Sequence, residues 1–118
     1  QYAHARVCNI IKRGEAFGNP LNPECDLSLL DKEIEHQLIQ KLSELPEVIG
    51  RAHTSLEPQM VANYLHELAM IFHRYYAQEK VVTDDKALTA ARLILVEATR
   101  IVFLNGLTIL GISAPEKM

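Results

Sequence analysis

The sequence predicts an all-α fold of about five helices, with a long helix near the C-terminal end at its centre. Three observations carry this. No segment shows sustained apolar–polar alternation, the mark of a half-buried strand. Four stretches place apolar residues at helical spacing, with Pro, Gly and Asn punctuating the gaps between them. A fifth, residues 86–118, is apolar over most of its circumference, as a helix surrounded by others must be.

The first helix spans Gln1 to Arg13. Ala3, Val7, Ile10 and Ile11 form its stripe, and Gly14 is expected to end it. Tyr2 and Arg6, four apart, share one side. Residues 16–27 contain Gly18, Asn19, Pro20, Asn22 and Pro23 and read as a loop. Ser28, with Asp31 three places on, is the expected cap of the second helix. Ile34, Leu38, Ile39, Leu42 and Leu45 face its core; Lys32, Glu33, Glu35, Gln37, Gln40 and Lys41 are expected in solvent. Pro46 and Pro58 each suit the start of a further helix. Val48, Ile49, Ala52 and Leu56 are the apolar positions of the third. Val61, Ala62, Leu65, Leu68, Ala69 and Phe72 are those of the fourth, which carries Tyr75-Tyr76 in its last turn. One of Thr83, Asp84 and Asp85 caps the fifth. There, Ala91, Ile94, Leu95, Ala98, Ile101 and Val102 make a broad apolar face, opposite Thr89, Arg92, Glu97, Thr99 and Arg100. Those polar residues leave no apolar run of about 20, so no membrane span is expected. Asn105-Gly106 and Gly111 read as stops.

The 118 residues suit one domain, 1–118, and 48 % hydrophobic residues can build a core. Cys8 and Cys25 fit neither a disulfide framework nor a zinc site and read as reduced thiols. The net charge of −3 is unevenly spread. Arg6, Lys12 and Arg13 make the first 13 residues basic, whereas residues 14–47 are strongly acidic. A local anion site on an acidic chain is compatible with that layout.

No GxSxG, GxxxxGK[ST] or GxGxxG motif occurs. His66 and His73 lie about 10 Å apart along a helix, too far to share a metal ion. His4, His36 and His53 have no ligand-type partner at metal spacing. Glu67 and Glu97 interrupt apolar segments and read as partners of Arg rather than as acid–base catalysts. Tyr2 beside Arg6, and Tyr75-Tyr76 ahead of Lys80, are combinations that stack on unpaired bases and hold phosphate. From these residues alone, tyrosines at helix ends that only cover the core edge with a wet hydroxyl are the preferred reading.

Residues 105–118 match the pattern N-G-L-x-x-L-G-[IV]-x-A-P-E-[RK]-M, from Asn105-Gly106-Leu107 through Leu110-Gly111-Ile112 to Ala114-Pro115-Glu116-Lys117-Met118. Gln1-Tyr2-Ala3-His4-Ala5-Arg6 fits Q-Y-A-H-[AS]-R. Between them stand Leu45-Pro46-Glu47-Val48, Glu57-Pro58, Tyr64-Leu65, Glu67-Leu68-Ala69, Phe72-His73 and Tyr76. In these motifs the chain resembles the C-terminal anticodon-binding (DALR) domain of arginyl-tRNA synthetases, a helical bundle of the class I synthetase anticodon-binding type. Lys117, where Arg is commoner, is a mild departure.

The resemblance implies that Tyr2, Arg6, Tyr76, Lys80 and Met118 meet the anticodon loop of arginine tRNA. Tyr2 and Arg6 match the aromatic and the Arg of the first helix, and Tyr76 the aromatic ending the long helix. Lys80 stands where relatives carry Arg or an aromatic, so it meets phosphate but stacks poorly. Residues 114–118 are expected to return toward Tyr2, Arg6 and Tyr76. The resemblance further implies a cytoplasmic enzyme that ligates arginine to its tRNA with ATP and Mg. That chemistry belongs to a catalytic domain upstream, since HIGH- and KMSK-type sequences are absent here. Gln1 in place of a start methionine fits a fragment. This domain is then expected to hold no cofactor or metal, to catalyse nothing, and to partner with tRNA and its own catalytic domain. The competing reading is a non-catalytic helical protein–protein interaction module. A free-standing enzyme would need a catalytic constellation that the sequence does not offer.

Overall fold

Five α-helices and one 3-10 turn account for most of the residues described in this computed structural model, which are 2–16, 18–55 and 57–111, the side chain of Ser55 excepted. No strand occurs among them. The helices are α1 (Tyr2–Ala16), α2 (Glu33–Ser43), α3 (Leu45–Ser55), α4 (Gln59–Gln78) and α5 (Lys86–Ile109), with the 3-10 turn at Leu27–Leu29. The expected all-α bundle is thus observed.

Helix α1 runs through Gly14 rather than stopping there. A Cβ on Gly14 would stand 3.1 Å from a Leu93 methyl, so the glycine serves close packing of α1 on α5. The chain turns just beyond, where the Asn19 N–H donates to the Gly14 carbonyl at 2.8 Å. Ser28 does not cap α2. It lies in the 3-10 turn, donating its N–H to the Asp26 carboxylate at 3.0 Å. The Ser28 hydrogen bonds hold the Asp26 carboxyl below its usual range. Helix α2 instead opens at Glu33, where the Lys32 N–H donates to Glu35 Oε1 at 3.2 Å.

Pro46 lies in the first turn of α3, and Pro58 immediately precedes α4, as their fixed φ suits. Val61, Leu65, Leu68 and Phe72 are buried along α4, joined by Tyr64 and Tyr75. The Tyr64 hydroxyl donates to the Lys41 carbonyl at 2.5 Å. Burial, with Glu44 nearby, pushes that hydroxyl up to about 12. Leu56, expected in the core, lies outside the described residues.

Asp85 caps α5, accepting from the Ala87 and Leu88 N–H groups at 3.1 and 3.2 Å. The helix continues through Asn105-Gly106 and ends at Ile109; only Gly111, at φ 73°, takes the left-handed turn. Gly106 is a packing residue, because a Cβ there would meet a Leu65 methyl at 2.6 Å. Helix α5 packs on α1, α2, α4 and the 3-10 turn, and α3 packs mainly on α4.

The buried face of α5 is rotated from the expected one. Ala91 and Leu95 are buried, but Ile101 is 43 % exposed, and Ile94, Ala98 and Val102 are half-buried. Thr89, Arg92 and Thr99, expected on the solvent side, are buried with Leu93, Val96 and Phe103. Each of the three has its polar group satisfied inside the protein. Thr89 Oγ1 accepts from the Thr83 N–H at 2.8 Å, and the Thr99 hydroxyl donates to the Leu95 carbonyl at 2.9 Å. Arg92 meets Glu35, the other residue expected in solvent and now fully buried, with Nε 3.0 Å from Glu35 Oε2. Among the described residues no helix is long and apolar enough to cross a membrane.

Candidate nucleic-acid interface

The spacing of Tyr2 and Arg6 puts both on one side of α1, and α4 offers Phe72, His73 and Tyr76 across from them. The side chains interlock. The Arg6 guanidinium lies over the Tyr76 ring, 4.8 Å from its centroid. Phe72, fully buried, runs parallel to Tyr76 at 6.3 Å, an interplanar angle of 7°. The Tyr2 and His73 rings stand 6.1 Å apart, tilted by 39°. Tyr2 is 59 % exposed, whereas Arg6 and Tyr76 are half-buried. The result is a layered platform: Phe72 as floor, Tyr76 and His73 above it, Arg6 and Tyr2 on the outside. Arg6 occupies a face of Tyr76, and Tyr2 is the most exposed ring of the platform.

His73 has no assigned role in the sequence, although it sits three residues before Tyr76 and so on its side of α4. Its Nδ1 is buried with no hydrogen-bond partner. Burial, and then the Arg6 charge, hold the imidazole below its ordinary range and favour the neutral ring. The other histidines are dispersed: His36 Nε2 lies 2.9 Å from the Leu30 carbonyl, and His4 is buried beside Cys8. No three His, Cys, Asp or Glu gather at metal-binding range among the described residues. Glu97 pairs with Arg100 as expected of it, and Glu67 with Lys41 rather than an Arg.

Beside the platform a cleft of about 920 Å³ opens between the C-terminal ends of α1 and α4 and the segment 79–86. Tyr76 and Lys80 both line it, so Lys80 stands next to the platform without forming part of its stack. Arg13, Asp84 and Lys86 line it as well. The backbone of this wall is fixed from within: Arg92 Nη1 donates to the Lys80 carbonyl at 2.7 Å and Nη2 to Glu79 Oε1 at 3.1 Å. Met118, and the expected return of residues 114–118, lie outside the described residues.

The whole of residues 1–118 matches the family described as DALR anticodon binding domain. The chain belongs to that family. It is also similar over its full length to proteins named arginine–tRNA ligase. The one from Shouchella clausii is 44 % identical over 119 residues, that from Symbiobacterium thermophilum 47 % over 120, and that from Desulforamulus reducens 43 % over 121. The DALR chain spans only 21 % to 22 % of the length of these relatives.

Proposed function

We propose that this DALR domain reads the anticodon loop of arginine tRNA for an arginine–tRNA ligase. The observation that carries the proposal is the convergence of Tyr2, Arg6 and Tyr76, from two helices, on one surface. Bases splayed from an RNA loop stack on Tyr2 and on the outer plane of the Arg6 guanidinium, with Tyr76 bracing Arg6 from beneath. Lys80 meets phosphate, and Met118, outside the described residues, is included as a contact of the same loop. Ligation of arginine, with its ATP and Mg, belongs in this proposal to a catalytic domain outside residues 1–118, in a cytoplasmic enzyme.

The test is a titration of the full-length protein with arginine tRNA and with anticodon variants, repeated for Arg6→Ala and Tyr76→Ala. Loss of a stacked base weakens binding by about 1–3 kcal/mol, roughly 5- to 150-fold. Discrimination among anticodons is expected to fall with it. If both substitutions leave affinity and discrimination intact, the site assignment fails. A second reading, a protein-docking module, is favoured by one feature: Ile101, Leu104 and Ile109 stand exposed on α5. It predicts RNA binding without anticodon dependence.

A further inference from the structure

The cleft beside the platform shares only Tyr76 with it. Three cations line that cleft, Arg13 on α1, Lys80 after α4 and Lys86 at the start of α5. All three are exposed, and none makes an ion pair among the described residues. Of the two carboxylates in the lining, Glu79 is already paired with Arg92. Among the described residues Asp84 alone opposes the cations, so this lining is net positive on a chain whose net charge is −3. Charge of this sign, gathered from three segments against the overall balance, marks an anion site. Its volume is within the range of sites that take a drug-sized molecule, which is also the size of a nucleotide. It is continuous with the platform, because Tyr76 belongs to both.

We infer that the cleft is the track of the RNA backbone, where Arg13, Lys80 and Lys86 hold phosphates of the strand leaving the Tyr2–Arg6–Tyr76 platform. This rests on the RNA-binding reading above. It adds Arg13 and Lys86, which neither the sequence motifs nor the platform geometry assign. It also divides the labour between the two surfaces. The platform meets bases and confers choice; the cleft meets phosphates and confers affinity without choice. Glu35 and Arg92 act here as positioning residues, since Arg92 pins the Lys80 carbonyl and the Glu79 carboxylate.

The experiment measures affinity of the full-length protein for arginine tRNA and an anticodon variant across about 50–200 mM salt, the range in which counterion release is read. The variants are the double substitution Arg13→Gln/Lys86→Gln and the single Asp84→Asn. All three side chains are exposed, so the fold is retained, and helical circular dichroism checks it. The double variant is expected to weaken both RNAs by the same factor. Each lost phosphate contact removes about 0.7–0.9 from the slope of log K against log salt, so the double variant loses about 1.5. Asp84→Asn moves affinity the other way. If the double variant keeps wild-type affinity and slope while Arg6→Ala still erodes anticodon discrimination, the cleft assignment is overturned and the platform stands. If the unsubstituted protein binds no RNA, both fall.

Discussion

Arg92 gives three nitrogens of its guanidinium separate acceptors: Glu35 Oε2, the Lys80 carbonyl and Glu79 Oε1. The Tyr75 hydroxyl donates to the same Glu35 oxygen at 2.7 Å, and its burial pushes its ionisation far up, so it stays a donor. A buried pair of this kind is costly to break from one side, because the surviving charge is stranded. Glu35→Ala is therefore expected to cost about 3–5 kcal/mol, read as a lower urea midpoint at unchanged m. Glu35→Leu/Arg92→Leu, which removes both charges, is expected to cost less than either single change. At His73 the sign of the pH effect follows from its depressed folded-state ionisation. As pH falls, the unfolded chain takes up that proton first. The stability His73 contributes is therefore complete above the ordinary imidazole value of 6.5 and is lost as pH falls below it. Melting between about pH 7.5 and 5.5 is expected to fall more steeply for the wild type than for His73→Gln. Parallel curves would mean that His73 is not the source of the slope.

The glycines of the helices divide by what surrounds them. Gly50, exposed in α3, would meet nothing within 4 Å of an added Cβ. Gly50→Ala is expected to stabilise by about 0.5–1 kcal/mol through helix propensity alone. Gly106→Ala gains the same propensity, but its Cβ is driven into Leu65, whose nearest methyl would be 2.6 Å away and which is itself buried. Overpacking of about 1–3 kcal/mol outweighs the gain, so this change is expected to destabilise. Leu65→Val should recover part of the loss in a double-mutant cycle. Gly106 and Gly14 also show why helix ends are only partly legible in a sequence. Gly14 and Gly106 look like stops in one dimension, yet each marks the approach of a helix distant in sequence, which local pattern does not contain. Gly111 and the prolines act on their own neighbours, and these were legible. So was the existence of every helix, because apolar period is a local property. The orientation of α5 was not, since the burial of Arg92 depends on Glu35, 57 residues earlier.

A radius of gyration of 14.4 Å is close to the roughly 13.5 Å expected of a compact chain this long, so the helices form one body around α5. Within it the proposed RNA surface straddles parts that come from opposite ends of the chain. Arg6 and Tyr2 belong to α1, Tyr76 and His73 to α4, and Lys86 to the start of α5. The platform residues Tyr2, Arg6 and Tyr76 were legible from short motifs. The packing role of His73 and the cleft as a whole were not, because both arise only where α1 is laid against the end of α4. This arrangement has a thermodynamic consequence. RNA that grips α1, α4 and the 79–86 segment together binds only the folded bundle, so it must raise the melting temperature of the 118-residue chain. With an anticodon stem-loop at about 100 times its Kd, the added stability is about 2.7 kcal/mol. For a domain of this size that is roughly 10 °C. Tyr76→Ala should lose most of the shift, since it removes the brace under Arg6 and one wall of the cleft at once. Arg13→Gln/Lys86→Gln should lose part of it, and more at low salt than at high, where the wild-type phosphate contribution is already screened. A shift that survives Tyr76→Ala at full size would mean that the RNA is held elsewhere on the bundle.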